Sequence, residues 1–280
     1  MPEGTGHPSM TESPERGGPE RDGSANDAPH PRENRDLWDA WSDAFQGAWR
    51  ADTEEGELPP AGVFLGPDVN DDETRAEVLP DLSGLDAVEL GCGGGQGTVG
   101  LALEGANATG VDFSTAQLGW ARELREAYDV AADFVAGDVT DLPLAEDSYD
   151  LAYCSWVFQL VDDFHGCFAE AHRVLREGGE FVFAVPHPFY ETFDAEARDL
   201  DWSYFERGPE RNPIGEYDPD MLVYHHTVGD YHEALTSAGF TVERLLEPGD
   251  SDPDVYEEQW SHKPDLMAMV PPTLVLRARA

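Results

Sequence analysis

The sequence predicts an α/β fold in which helices lie on both faces of a doubly wound, mostly parallel sheet. First, the apolar run 85–90 ends in a loop with five glycines between Gly91 and Gly97, and a helix-forming stretch, 96–103, follows. Second, short apolar runs and amphipathic stretches alternate along the rest of the chain, as parallel strands joined by crossover helices do. Because this alternation never restarts, we expect one domain over residues 36–280.

Residues 1–35 differ in composition from the rest of the chain. They are rich in glycine, proline, serine and acidic residues and contain almost no apolar side chains. Such a segment cannot bury enough apolar surface to offset the entropy lost on ordering. We therefore expect a disordered, acidic tail that is rich in proline and glycine.

The formal net charge is −41, with 58 acidic residues against 17 basic ones. The tail explains little of it, since residues 1–35 hold seven acids and four arginines, and Lys263 is the only lysine of the chain. Dense carboxylates with almost no lysine suggest a halophilic protein, in which salt screens the repulsion and hydrated acids maintain solubility.

We expect added KCl to stabilise the fold. Screening of the carboxylate repulsion should raise the melting temperature as the KCl concentration increases, and dilute buffer should leave the protein partly unfolded. Thermal unfolding followed by circular dichroism across a KCl series measures this effect. A melting temperature that does not change with KCl would contradict the expectation.

Charge and apolar pattern also limit the partners and the compartment. No basic stripe is present to bind a phosphate backbone, so nucleic acid is not expected as a partner, and an anionic membrane surface would repel the chain. No apolar run approaches spanning length, and the first residues lack the features of a signal peptide. The three cysteines fall in predicted core elements or the glycine loop, which indicates reduced thiols in a cytoplasm.

The first predicted elements are a helix and two strand–helix units. The helix covers 36–50, because apolar residues recur on one face: Leu37, Trp38, Trp41, Ala44 and Phe45. After the first strand, glycine loop and helix, 108–111 is predicted as a second strand that ends at Asp112. Ser114 and Gln117 then form an S-x-x-Q capping box that starts the next helix.

The later elements continue the alternation. The stretch 163–176 carries apolar residues at helical spacing, and Gly178 and Gly179 end the helix. The remaining predicted elements, in chain order, are a buried strand over 180–186, a helix over 229–238, a strand over 240–246 and an alternating strand over 273–279.

The glycine loop distinguishes between two cofactor classes. Dinucleotide sites use G-x-G-x-x-G, whose third glycine allows close packing of helix and strand; counted from Gly91, that position is Gln96. The chain instead has E-L-G-C-G-G-G from Glu89, with glycines at 91, 93 and 95. This E/D-x-G-x-G-x-G pattern resembles the class I S-adenosylmethionine-dependent methyltransferases, and more narrowly their small-molecule branch, of methyltransferase type 11/25.

Three further segments resemble the same family in the same order. F-V-A-G-D-V-T-D-L-P at 134–143 resembles its third strand and adenine loop, D-S-Y-D-L-A-Y-C-S-W at 147–156 its fourth strand, and R-V-L-R-E-G-G-E-F-V-F at 173–183 its next helix, turn and strand. The resemblance is strong over 85–186 and looser beyond. It implies a Rossmann-like sheet of seven strands whose last strand is antiparallel, and S-adenosylmethionine as the cofactor.

The resemblance assigns cofactor contacts residue by residue. Gly91, Gly93 and Gly95 would allow the backbone to approach the methionine and ribose parts, while Glu89 would brace the loop or pair with the cofactor's ammonium. Asp112 lies about where a ribose-binding carboxylate belongs. The other implied contacts are Phe113 against the adenine, Asp138 accepting from the adenine amino group, Val139 beside it, and the backbone of Cys154 and Ser155 near the methionine part.

Two long segments, 187–228 and 247–272, lie outside the predicted sheet and its helices. Segments this long are usually functional or disordered, and their many aromatic residues argue against disorder. Both leave the sheet near the edge where open α/β folds bind ligands. We therefore expect them to cover the methyl acceptor, and we call 187–228 the first cover segment and 247–272 the second.

Predicted acceptor contacts follow the fourth and fifth strands and include the first helix: Trp41, Trp156, Phe158, Gln159, His187 and Tyr190. Methyl transfer needs alignment and exclusion of water, and a base only where the acceptor loses a proton. Many relatives have a histidine near the position of Phe158 or Gln159, which this chain lacks. His187, in P-H-P-F, is the candidate base or hydrogen-bonding group; alternatively it is a rigid turn residue.

The predicted function is transfer of a methyl group from S-adenosylmethionine to a small organic acceptor. No metal site is predicted, since the adjacent His225 and His226 would point to opposite faces of a strand and His232 adds no ligand spacing. One alternative is an NAD(P)-dependent oxidoreductase, which Gln96 and the segment around Asp138 disfavour. The other is a non-catalytic cofactor-binding regulatory protein of this fold, which would have no acceptor pocket beside the sulfonium.

Overall fold

The computed structural model describes residues 32–51, 53, 58–66, 69, 72–193, 200, 202–256 and 264–280. Residues 1–31 of the predicted tail therefore lie outside the described residues. The helices are α1 Glu33–Ala51, α2 Asp72–Val78, α3 Gln96–Leu103, α4 Thr115–Tyr128, α5 Phe164–Val174, α6 Val228–Ala238 and α7 Pro264–Met267. The strands are β1 Asp86–Leu90, β2 Asn107–Asp112, β3 Ala132–Ala136, β4 Tyr149–Ser155, β5 Leu175–Pro186, β6 Glu210–Asn212, β7 Met221–Val223, β8 Thr241–Leu246 and β9 Thr273–Arg279.

Seven of these strands form one sheet in the order β3-β2-β1-β4-β5-β9-β8. The first five strands in this order, β3, β2, β1, β4 and β5, pair in parallel. Strand β9 runs antiparallel to both of its neighbours, β5 and β8. The predicted fold class is confirmed, including the antiparallel last strand. The strand order reverses between β1 and β4, so the crevice at the carboxyl ends of these two strands is the expected ligand site.

The sheet is buried on both faces. Successive residues of a strand point to opposite faces, and Ala87 and Val88 of β1 accordingly belong to two different hydrophobic clusters. One cluster joins the sheet to α5 and α6, and the other contains Leu101 of α3 and Val78 of α2. Helices on both faces thus fix the carboxyl ends of the strands, from which the candidate site is built.

Phe158 belongs to this core. Its side chain is 0% exposed, and its ring centroid lies 4.8 Å from that of Phe168, 5.3 Å from Phe183 and 6.0 Å from Phe181. The prediction of Phe158 as an acceptor contact is corrected, because a ring enclosed by three others presents no surface to a ligand.

Helix α1 turns a polar face inward. It begins at Glu33, three residues before the predicted start, and its buried residues are Asn34, Leu37, Ser42 and Gln46. Of the predicted apolar face, only Leu37 is fully buried. The rings of Trp38, Trp41 and Phe45 are half-buried and pack on one another, with centroids 5.0–5.1 Å apart. The reason is that α1 lies over the polar glycine loop and the start of α4 rather than over an apolar surface of the sheet.

The first cover segment contacts both α1 and the second cover segment. In the first, β6 and β7 form an antiparallel hairpin, and the Asn34 side chain of α1 exchanges hydrogen bonds with the backbone N–H and C=O of Leu222 at 2.8 and 2.9 Å. In the second, Tyr256 packs against Tyr190 in a small separate cluster. The hairpin thus connects the first cover segment to α1, and Tyr190 connects it to the second cover segment. Within the described residues, no helix is long and apolar enough to cross a membrane.

Candidate functional site

The glycine loop lies tightly against its neighbours and leaves one side open. Gly91 has φ +73°, and a Cβ there would lie 2.5 Å from the side chain of Val157. A Cβ on Gly95, at φ +82°, would lie 2.8 Å from that of Ala121. At Gly93 the nearest atom would be 3.8 Å away, so the loop presents bare backbone to open space at this residue, as a closely bound ligand requires.

Asp112 is held at the end of β2 by backbone donors. The N–H of Gly93 donates to its Oδ2 and the N–H of Ser114 to its Oδ1, both at 2.8 Å. Burial raises the pKa of Asp112 to about 6, although these hydrogen bonds lower it. Each carboxylate oxygen keeps a further lone pair, with which it can accept from a ligand hydroxyl.

Glu89 is a second buried carboxyl beneath the loop. Thr98 donates its hydroxyl to Oε2, and burial raises the pKa of Glu89 to about 8, with the negative charge of Asp112 contributing. Among the described residues, no arginine or histidine pairs with either carboxyl. Two buried acids that lack a cation favour a positively charged ligand, and S-adenosylmethionine carries both a sulfonium and an ammonium group. The residues present therefore fit this cofactor.

Helix α1 lies against the site through side chains that the sequence pattern does not single out. Gln46 donates to Oε1 of Gln117 and accepts from Nε2 of Gln96, each at 2.7 Å. Asp39 accepts from the hydroxyl of Ser114 at 2.7 Å. Ser114 does cap α4, but the side chain of Gln117, predicted to complete a capping box, bonds to Gln46 instead.

The other implied cofactor contacts lie around the same edge of the sheet. Asp138 is exposed, and its Oδ1 accepts from both the N–H and the hydroxyl of Thr140, at 2.9 and 2.7 Å. Phe113 is half-buried, whereas Val139 and Cys154 belong to the core. Ser155 ends β4 and pairs with Ala184 of β5. Cys154 can therefore offer only backbone to a ligand, as predicted for it.

Trp156 and Gln159 lie together after β4. Trp156 has φ +58°, a rare backbone conformation for a residue other than glycine, and its N–H donates to the carbonyl of Ala184 at 2.8 Å. Gln159 donates its amide to the carbonyl of Trp156 at 2.8 Å. These two predicted acceptor contacts therefore lie side by side at the crevice between β1 and β4.

His187 has both ring nitrogens engaged in the fold. The N–H of Phe189 donates to Nδ1 at 3.1 Å, which leaves the proton on Nε2, 2.8 Å from the carboxylate of Glu247. The side chain lies in a buried position, with 4% of the residue exposed. This geometry favours the turn role of His187 over the role of a base. Tyr190, also predicted to contact the acceptor, packs in the separate cluster with Tyr256.

We expect cofactor binding to release protons. Glu89 and Asp112 retain protons in the folded protein up to about pH 8 and 6, whereas a bound cation favours their ionised forms. By linkage, the affinity for S-adenosylmethionine should rise with pH across this window. Calorimetric titration in two buffers of different ionisation enthalpy measures the protons released. Glu89→Gln should release fewer protons, and binding without proton release would contradict the expectation.

Comparison with known proteins agrees with this site. A family model described as a methyltransferase domain matches residues 88–183. A malonyl-[acyl-carrier protein] O-methyltransferase from Pectobacterium atrosepticum is 34% identical over 40% of this chain, and the match spans 43% of that enzyme. An uncharacterized methyltransferase from Synechocystis is 35% identical over 60% of this chain and 72% of its own length.

A solved structure supports the same family over a longer stretch. The S-adenosylmethionine-dependent methyltransferase from Mesorhizobium loti aligns with a TM-score of 0.61 and 30% identity, covering 77% of this chain and all of the other. Both the sequence and the fold are thus shared with it well beyond the glycine loop. The chain therefore belongs to the S-adenosylmethionine-dependent methyltransferase family, and S-adenosylmethionine is its cofactor.

Proposed function

We propose that the protein transfers a methyl group from S-adenosylmethionine to a small organic acceptor bound beneath the first cover segment. The observation that carries the proposal is the pair of buried carboxyls, Glu89 and Asp112, which lie beside an open glycine loop with no cationic partner among the described residues. A cationic methyl donor supplies the missing positive charge.

S-adenosylmethionine, when bound, supplies a methyl group on a good leaving group. The chain's own residues therefore need to position the acceptor and to exclude water. Asp112 would hold the ribose hydroxyls, since its two oxygens are oriented by Gly93 and Ser114. Glu89 would face the positive charge. Gln46 holds α1 over the glycine loop through its hydrogen bonds to Gln96 and Gln117.

The acceptor is expected on the opposite side of the crevice, beside Trp156 and Gln159. The relatives differ in their named acceptors: one is a malonyl-[acyl-carrier protein] O-methyltransferase and another a demethylmenaquinone methyltransferase. Each match spans less than half of its relative's length. We therefore propose a small-molecule acceptor beside Trp156 and Gln159 without carrying over the acceptor of either relative.

The proposed setting is a cytoplasm of high salt. The net charge of −41 supports it, as do the three cysteines, which are all buried and free of disulfides. The predicted boundary at residue 36 is corrected, because α1 begins at Glu33 and Asn34 is buried and bonded to Leu222. We propose that one domain starts with α1 and runs to residue 280, that the residues before α1 form a tail, and that neither nucleic acid nor a membrane is a partner.

The proposal is tested by titrating the protein in molar KCl with S-adenosylhomocysteine, and with NADH for comparison. Micromolar binding of S-adenosylhomocysteine alone is expected. Binding of NADH, or of neither compound, would overturn the proposal. Formation of S-adenosylhomocysteine from S-adenosylmethionine, when a small-molecule extract is added, then separates an enzyme from a regulatory protein that only binds the cofactor.

A further inference from the structure

Several polar side-chain atoms in the segment after β4 and in the first cover segment are buried without a hydrogen-bond partner. Within the described structure, these are Nε1 of Trp156, Oε1 of Gln159, Nε1 of Trp202 and Nε2 of His226. Buried polar groups are nearly always hydrogen-bonded in native proteins, because an unsatisfied group costs free energy. These four atoms are therefore candidates to bind a polar ligand, if their residues lie together.

These residues form one continuous group. Gln159 bonds to Trp156 through its side chain, and its carbonyl accepts from the N–H of Tyr224 at 2.7 Å. The next residue, His225, stacks on Trp202, with ring centroids 4.5 Å apart and an interplanar angle of 28°. The first cover segment thus brings Trp202 and His225 to the residues that follow β4.

His225 has the arrangement of a base held by a carboxylate. Its Nε2 lies 3.1 Å from Oε2 of Glu210 on β6, and the stack on Trp202 fixes the ring. Its other nitrogen, Nδ1, makes no hydrogen bond in the described structure. A histidine oriented by an acid on one nitrogen and free on the other is arranged to take a proton. His187, with both nitrogens engaged, is not.

The charges of the first cover segment indicate which acceptors fit. Its two arginines within 202–228 are paired, Arg207 with Asp230 at 2.8 Å and Arg211 with Glu33 at 2.6 Å. A carboxylate acceptor would therefore find no free cation in this part of the chain. Trp156 and Trp202 each combine an apolar ring with an N–H donor, which suits a neutral aromatic ring that bears a hydroxyl or amino group.

We propose that His225 is the general base for a neutral aromatic O–H or N–H acceptor held between Trp156, Gln159 and Trp202; this rests on the proposed methyl transfer. As the bond from the acceptor oxygen or nitrogen to the methyl carbon forms, the carbon–sulfur bond breaks and its electron pair goes to sulfur. The acceptor's proton goes to Nδ1 of His225 and then to solvent, while Glu210 stabilises the imidazolium. The other titratable groups near Tyr224 and His226 are Asp162, His165, Arg207, Arg211, Asp230 and Glu33.

The acceptor class is tested by calorimetry on protein saturated with S-adenosylhomocysteine. The probes are para-nitrophenol, para-nitroaniline and para-nitrobenzoate, which share a ring and differ in the reacting group. We expect the phenol and the aniline to bind at least tenfold more tightly than the benzoate. Equal or tighter binding of the benzoate, or no binding of the phenol and the aniline, would overturn the class. Failure to bind S-adenosylhomocysteine would instead overturn the proposed function, and this inference with it.

The role of His225 is tested by the absorption of bound para-nitrophenol, at a pH where the free probe is mainly neutral. In the unmodified protein the bound probe should show the phenolate spectrum. His225→Gln should reduce the phenolate fraction at least tenfold, and Glu210→Gln should reduce it partly while leaving His225 in place. The control is His232→Gln on the exposed side of α6, which should change nothing. A neutral bound probe in the unmodified protein, or an unchanged phenolate spectrum in a His225→Gln variant that still binds S-adenosylhomocysteine, would overturn the role.

Discussion

Replacing Asp112 with alanine is expected to weaken S-adenosylhomocysteine binding by more than tenfold, which corresponds to about 1.4 kcal/mol or more. The substitution removes the proposed acceptor for the ribose hydroxyls. It also leaves the N–H groups of Gly93 and Ser114 without the carboxylate that holds them at 2.8 Å, so the glycine loop loses a restraint next to the ligand. Calorimetric titration in molar KCl measures the change in affinity.

Two variants show whether the effect belongs to the carboxylate. Asp112→Asn keeps the shape but can accept from only one of the two N–H groups, so we expect an intermediate loss. Asp133→Ala removes an exposed acid from the neighbouring strand β3 and should leave the affinity unchanged. A folded Asp112→Ala variant with the affinity of the unmodified protein would refute the ribose assignment.

The sheet could be predicted from the sequence because local patterns determine it. Strand β9 and helix α3 have the predicted bounds, 273–279 and 96–103, since β9 alternates apolar and polar residues and α3 directly follows the glycine loop. The hairpin of β6 and β7 was not predicted. Its strands are three residues long and half-buried, and the contacts that hold it come from Asn34, which lies 188 residues before its partner Leu222. A pattern read along the chain does not contain such a contact.

The glycine loop and the strand-end position of Asp112 could be predicted from local sequence, whereas the contacts made by α1 could not. The glycine loop and Asp112 can be recognised in short stretches of sequence, because a close approach of the backbone requires glycines and Asp112 directly follows an apolar strand. Periodicity assigns a helix face by hydrophobicity, so it placed Trp41 inward and overlooked Gln46, whose partners Gln96 and Gln117 belong to other helices. His225 was considered only as a metal ligand, because its partner Glu210 is identified by the fold and not by spacing.

Phe158→Ala is expected to lower the free energy of unfolding by about 3–5 kcal/mol, the usual cost of truncating a buried aromatic residue in a core. The ring is fully buried among Phe168, Phe181 and Phe183, so its removal leaves a cavity between β5 and α5 that these rings cannot fill without leaving their rotamers. Urea unfolding followed by fluorescence in molar KCl measures the loss. Phe158→Leu keeps part of the volume and should lose less.

The same substitution separates a core residue from an acceptor contact, since the two roles predict different losses. Truncating a core residue lowers stability and leaves the affinity of the remaining folded protein for the para-nitrophenol probe within about twofold. Truncating an acceptor contact lowers that affinity and changes stability little. Phe205→Ala, which truncates a ring that is 82% exposed, is the control and should change stability by no more than about 0.5 kcal/mol. If Phe158→Ala behaved like Phe205→Ala in unfolding and lost the probe, Phe158 would be an acceptor contact, and the packing of the segment after β4 would differ from the one described.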